Sequence, residues 1–138
     1  MPPAADPVLA LYAALEQGDL GEALDGCLHP EVRWRSSPTM PWGAAVEGRK
    51  GRDAVREYLM MLGEHLDAEV EIDDVVETED RVVTLGVISG TAKSTGARFE
   101  ARFAHVWTVV DGRIVDHRGF PDTAAVMNAL AGSGSQGD

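Results

Sequence analysis

The stretch RFAHVWTVVDGRIVDHRGFPD, residues 102 to 122, carries two histidines where the apolar pattern of a β-hairpin would otherwise run on. His105 and His117 fall one on each arm, and imidazole is the side chain whose unperturbed pKa lies nearest neutral pH. Two imidazoles close together in a low dielectric depress one another's basicity, so at least one stays neutral near pH 7. A neutral imidazole can accept a proton as a base while its neighbour donates to a developing oxyanion. The pair therefore points to proton transfer on a small compound, with no cofactor. The structural alternative is two hydrogen-bonded or solvent-facing histidines with no chemistry to do.

Whether the rings meet depends on the hairpin register. Along a strand Phe103, His105 and Trp107 share one face, and Arg102, Ala104 and Val106 the other. A two-residue type I′ turn at Asp111-Gly112 sets His105 opposite Arg118 and Trp107 opposite Asp116. A three-residue loop, with Gly112 in a left-handed bulge, sets His105 opposite His117 and Trp107 opposite Val115. The second register is preferred. It gathers Val115, His117 and Gly119 on the face of His105, whereas the first buries Asp116 beside Trp107 without a partner. Trp34, Phe103 and Trp107 then become candidate substrate-binding walls for a flat hydrophobic ligand.

The elements that must position these residues follow from periodicity. Asp6-Pro7 reads as a helix opening, with Val8, Leu11, Tyr12 and Leu15 at helical spacing up to Gly18. Asp19 caps a shorter helix whose Leu20, Ala23, Leu24 and Cys27 share a face, and His29 closes it before Pro30. EVRWRS is a half-buried strand, residues 37 to 51 a Pro/Gly loop with Trp42 as lid or anchor, and Arg52 to His65 a third helix. Arg49, Lys50 and Arg52 at its start read as solvated. Period-2 patterns over about 68–78, 81–93, 97–110 and 113–119 give an antiparallel meander. A short helix after Pro121-Asp122-Thr123 closes the domain, and Asp122 stands where an N-cap would. The class is α+β: a curved antiparallel sheet of four to five strands packed against three helices, shaped as a cone with a ligand-sized cavity.

With 138 residues, 44% hydrophobic and 25% charged, the chain suits one domain over residues 1–130, followed by a disordered tail at 131–138. A net charge of −11 argues against nucleic acid and anionic membranes as partners. No apolar run or leader points to a membrane or to export, and the lone Cys27 fits a reducing cytoplasm, as a small buried hydrophobe. His105 and His117 lack a third ligand on their face, so no metal is expected.

The segments YAALEQGDLGEALDGCLHPEVRW, GRDAVREYL and FAHVWTVVDGRIVDHRGFPD resemble, in order and spacing, the ketosteroid isomerase-like superfamily. That superfamily shares the cone fold of nuclear transport factor two and includes the SnoaL-like polyketide cyclases and limonene-epoxide hydrolases. The resemblance covers about residues 7 to 130. It implies a cavity and a homodimer, for which Ala104, Val106, Thr108 and Ile114 could supply the surface. It places the isomerase tyrosine at Leu11, beside Tyr12, the base at Ser36 or Ser37, and the oxyanion acid at His105. A serine does not remove a carbon-bound proton unaided, which argues against that isomerase design. The WRDYFD pattern of the epoxide hydrolases becomes HRGFPD, and their water-activating acid is Gly119 here. The SnoaL-like group remains, with His105 and His117 as catalytic candidates. Trp34, Phe103, Trp107, Ser36, Tyr12 and Asp122 are the substrate-binding ones, Asp122 because related proteins carry an acid near that point. Three functions are compatible with this. One is a cofactor-independent cyclase, isomerase or dehydratase acting on a small hydrophobic carbonyl compound; another is a non-catalytic binding protein for such a ligand; the third is a dimerisation module whose cone holds no ligand.

Overall fold

The computed structural model describes residues 3–37 and 39–132, so most of the expected disordered tail, residues 133–138, lies outside the described residues. Three α-helices and five strands follow one another as α1 (Ala5–Glu16), β1 (Leu28–Arg35), α2 (Arg52–His65), β2 (Leu66–Glu77), β3 (Arg81–Ala92), β4 (Arg98–Val110), β5 (Arg113–Pro121) and α3 (Thr123–Leu130). The strands form one sheet in the order β1-β5-β4-β3-β2. The β2 to β5 meander is antiparallel, and β1 joins its end parallel to β5. The expected α+β architecture is present. The one departure from an all-antiparallel sheet is β1, which reaches β5 across the whole chain.

Local chemistry accounts for the boundaries. In α1 the cap position is Ala4, not Asp6, and Asp6 and Pro7 lie in the first turn, where a missing N–H costs nothing. Asp19 does cap the next segment, its carboxylate accepting from the Glu22 N–H at 3.0 Å. That segment is a π-helical turn over Glu22–Gly26, and the chain is already extended at Leu28. His29 is therefore an exposed strand residue, not a helix end; its Nδ1 accepts from the Glu31 N–H. The Pro/Gly loop includes a 3₁₀ turn, Pro41–Ala45, and buries Trp42 as an anchor. Arg52 is not simply solvated: it donates to the Leu28 carbonyl at 3.0 and 2.6 Å, tying α2 to the start of β1.

Sheet curvature has a visible cause. A side chain at Gly86 in β3 would sit 2.3 Å from the Glu71 carbonyl oxygen, so only glycine lets β2 fold so close. A bulge between Ile72 and Asp74 bends β2 at the same level. The concave face packs on α1, the π-helical turn and α2 through Val8, Leu11, Leu24, Val55, Val82 and Trp107, all buried. Ile114 is buried there as well, which removes it from the expected outer surface.

The β4–β5 hairpin corrects the register expected for it. Val110 pairs with Arg113, and Asp111 and Gly112 both have positive φ (51° and 77°), as a two-residue type I′ turn needs. The extra residue lies further on: Val109 faces Ile114 and Thr108 faces Asp116, so Val115 is a bulge on β5. Beyond it His105 is opposite Gly119 and Trp107 opposite His117. An unbroken strand with Ile114 inside would turn His117 outward, because faces alternate with period 2. The bulge reverses the phase, so both Ile114 and His117 point into the core. The imidazoles share a face as expected, by a tight turn plus a bulge and not by a three-residue loop.

Candidate functional site

His105 and His117 meet on the concave face with ring centroids 4.9 Å apart at 68°. His117 is buried between two indoles, Trp34 at 3.9 Å and nearly parallel, Trp107 at 4.4 Å. The parallel ladder explains the first contact, since Trp34 of β1 is the direct lateral neighbour of His117. Phe103 stacks on His105 at 4.1 Å. Trp34, Phe103 and Trp107 therefore surround the imidazoles as walls.

Tyr12 reaches the pair from α1. It is Tyr12, not the buried Leu11, whose hydroxyl meets His105 Nδ1, at 2.5 Å. The same hydroxyl lies 2.8 Å from Thr84 Oγ1, which accepts from Trp107 Nε1 at 3.0 Å. Proton counting orients this chain. Indole can only donate, and the Thr84 hydroxyl is fully buried, so its own hydrogen must go to Tyr12. Tyr12 then donates to His105 Nδ1. The reverse orientation leaves the Thr84 hydrogen without an acceptor among the described residues. His105 is thereby held as the Nε2–H tautomer, a hydrogen-bond donor.

His117 is the opposite case. Both its ring nitrogens are buried with no hydrogen-bond partner among the described residues, and so is Trp34 Nε1. Leaving a buried polar group unpaired costs about 1–3 kcal/mol, so a group that entered from outside would recover it. Burial lowers the His105 pKa to about 3. It lowers His117 well below the ordinary value too, helped by His105 and then by Arg35. Both rings are neutral at pH 7. Burial raises the Tyr12 phenol, outweighing its bond to Thr84, so Tyr12 keeps its proton and acts as a donor.

Gly119 leaves space between the rings. A side chain there would lie 3.4 Å from His117 Cε1, 3.8 Å from His117 Nε2 and 3.6 Å from His105 Cδ2. The same residue lines a groove of about 460 Å³ beside Ser36, Arg35 and Arg118, where β1 leaves β5. A second cavity of about 240 Å³ touches Trp34 and Ser36. Neither is lined by an imidazole, and the concave interior is filled by aromatic side chains.

The other candidates divide. Ser36 donates to the Tyr58 hydroxyl at 3.3 Å and lines both cavities. Asp122 is exposed and caps α3, accepting from the Ala125 N–H at 3.2 Å. Cys27 is a buried free thiol whose pKa burial raises, unsuited to nucleophilic work. Sequence reasoning missed Thr84, although a polar residue in the inward row Val82-Thr84-Gly86 was a readable signal. Among the described residues no three His, Cys, Asp or Glu side chains cluster as a metal site requires, and no helix is long and apolar enough to cross a membrane.

Known proteins share this fold. The family model for the SnoaL-like domain matches residues 8–117. An NTF2-like protein of Burkholderia thailandensis is 32% identical, covering 94% of this chain and 98% of its own, with a TM-score of 0.80. TerC, crystallised with polyporic acid, is 26% identical over 94% of this chain and 99% of its own, with a TM-score of 0.80. IdmH of Streptomyces antibioticus, a proposed polyketide cyclase, is 27% identical over 93% and 98%, with a TM-score of 0.74. No curated protein matches the chain. A family model that runs from α1 through both histidines of the hairpin, on the cone fold of these structures, makes the chain a member of the SnoaL-like domain family.

Proposed function

We propose that this protein is a cofactor-independent enzyme that moves a proton on a small hydrophobic carbonyl compound, in an isomerisation, cyclisation or dehydration. The observation that carries the reading is the asymmetry of the two imidazoles. His105 is a fixed donor at Nε2, oriented through Tyr12 and Thr84. His117 is neutral with both nitrogens uncommitted. In this scheme His117 takes a proton from the carbon beside the carbonyl, the C–H electron pair moves to the carbonyl oxygen, and His105 Nε2–H donates to the enolate. Burial makes His117 a weak base, but the enolate forming beside it favours its protonated form. Return of the proton to a different carbon completes an isomerisation. Among similar proteins, IdmH is a proposed polyketide cyclase and TerC was crystallised with polyporic acid, which supports a small organic ligand for this chain. The setting proposed is the cytoplasm, where a free Cys27 stays reduced.

One observation favours a second reading, a non-catalytic binding protein for a small hydrophobic ligand: the two cavities touch Gly119 and Trp34 but neither imidazole. Deuterium exchange separates the readings without knowledge of the natural substrate. With 2-tetralone in D₂O, the protein is expected to speed loss of the α-protons in the NMR spectrum. His117→Ala and Gly119→Ala should each slow it at least about tenfold, Gly119→Ala by filling the space between the rings. Ligand-induced shifts with exchange no faster than buffer would establish the binding protein instead.

A further inference from the structure

We infer that the Tyr58 hydroxyl, with the Ser36 hydroxyl and the Trp34 indole N–H beside it, is a second hydrogen-bonding subsite on the inward side of the sheet. It takes an uncharged oxygen acceptor, so that the ligand carries a second carbonyl besides the one at the imidazoles. The inference rests on the proton-transfer reading above only in treating the bound molecule as a substrate.

Alternation and one helix bring the three groups together. Trp34 belongs to the inward row of β1, and Ser36, two residues on, continues that row just past the strand. There its Oγ donates to the Tyr58 hydroxyl of α2 at 3.3 Å. Tyr58 packs against both apolar clusters of the domain, one containing Trp34 and the other Trp42. Its ring lies 5.8 Å from that of Trp34, and Trp34 in turn stacks on His117 at 3.9 Å. The indole thus ties the hydroxyl pair to the imidazoles.

Proton counting shows what the pair lacks. Ser36 spends its hydrogen on Tyr58, and the Tyr58 hydrogen then has no acceptor among the described residues. Reversing the bond only moves the shortage to Ser36. The Trp34 N–H is buried and equally without a partner among the described residues. In the Tyr12 chain the last hydrogen ends on His105 Nδ1; in the Tyr58 chain it ends on nothing. Burial raises the Tyr58 phenol against its bond to Ser36, so the hydrogen stays in place to be donated. Trp34 and Ser36 also line the cavity of about 240 Å³, which leaves room for the missing acceptor. Of the charged residues lining that cavity, Arg35 is already paired with Asp116 at 2.8 Å, and Glu47 repels anions. Neutral donors in such a place suit a neutral oxygen, a carbonyl above all.

The test compares 6-acetyl-2-tetralone with 6-isopropenyl-2-tetralone, nearly the same shape with C=O replaced by C=CH₂, by titration of the ¹⁵N-labelled protein. The acetyl compound is expected to bind about tenfold tighter, as one hydrogen bond to an otherwise unpaired donor allows. The Trp34 indole N–H signal should move downfield with that compound alone. Tyr58→Phe should remove most of the preference and leave the circular dichroism unchanged. Equal affinity for the two probes overturns the inference, as does a preference that Tyr58→Phe leaves intact or an indole signal that both probes move alike. The indole readout uses the unaltered protein and so decides the matter even if Tyr58→Phe does not fold. None of these measurements depends on catalysis. Acetyl selectivity without tetralone exchange supports the subsite and ends the enzymatic reading; exchange without acetyl selectivity does the reverse.

Discussion

At the scale of single residues, His117 is the costly one. A buried imidazole whose folded pKa lies below its unfolded value makes stability depend on pH in one direction. Above about pH 6.5 both folded and unfolded forms are neutral and the full stability is present. As pH falls from there toward the folded pKa, the unfolded chain binds the proton and the native one does not. Stability then drops by up to about 1.4 kcal/mol per pH unit for each such histidine. His105, held to about 3, and His117, depressed further by its neighbour's presence, should both contribute. Urea unfolding at pH 7 and pH 5 is expected to show the native protein losing several kcal/mol. In His117→Phe about half of that loss should vanish, the aromatic ring keeping the stack on Trp34. A variant with the same pH dependence as the parent would mean that His117 reaches its proton without unfolding. The Tyr12–Thr84–Trp107 chain belongs to this scale too: it fixes the His105 tautomer by proton counting, with no charge needed.

Secondary-structure elements decide where such residues can stand, and here two small irregularities matter most. The Val115 bulge sets the phase of β5, and Gly86 sets how closely β2 follows β3. Gly86 faces backbone, which cannot swing aside as a side chain can. Gly86→Ala is expected to cost about 3 kcal/mol, because its Cβ would lie 2.3 Å from the Glu71 carbonyl. Gly112→Ala should cost about 1–2 kcal/mol, for its positive φ alone, since nothing lies within 4 Å of the added carbon. Thermal unfolding of the two variants checks the order, and a milder effect at Gly86 would show that β2 can move outward freely.

On the scale of the whole molecule, the convex face of the sheet is less polar than an outside face needs to be. Leu85 is 39% exposed there, paired with Ala104, and Val83 is paired with Val106 next to it. We propose that a second copy of the chain covers this face, in a homodimer. Sedimentation equilibrium is expected to give a dimer at micromolar concentration, and Leu85→Glu a monomer with unchanged circular dichroism. A Leu85→Glu protein that sediments like its parent rules this face out as the contact.

Much of this was legible in the chain itself. Helical spacing over residues 52 to 65 and alternation over the last four strands mark elements that stand where expected, because periodicity is a local property. The pairing of His105 and His117 on one face was legible too, from strand alternation plus one extra residue. Where that extra residue falls was not. A bulge at Gly112 and a bulge at Val115 satisfy the same alternation, and packing chose Val115 because it buries Ile114 and His117 together. Nor could the sequence join Tyr12 to Thr84, which are 72 positions apart, or set Arg35 beside Arg118 in a parallel ladder. Local patterns determine which residues face a core; only the tertiary fold decides which distant residues meet there, since loop closure carries no mark in the composition of the loop.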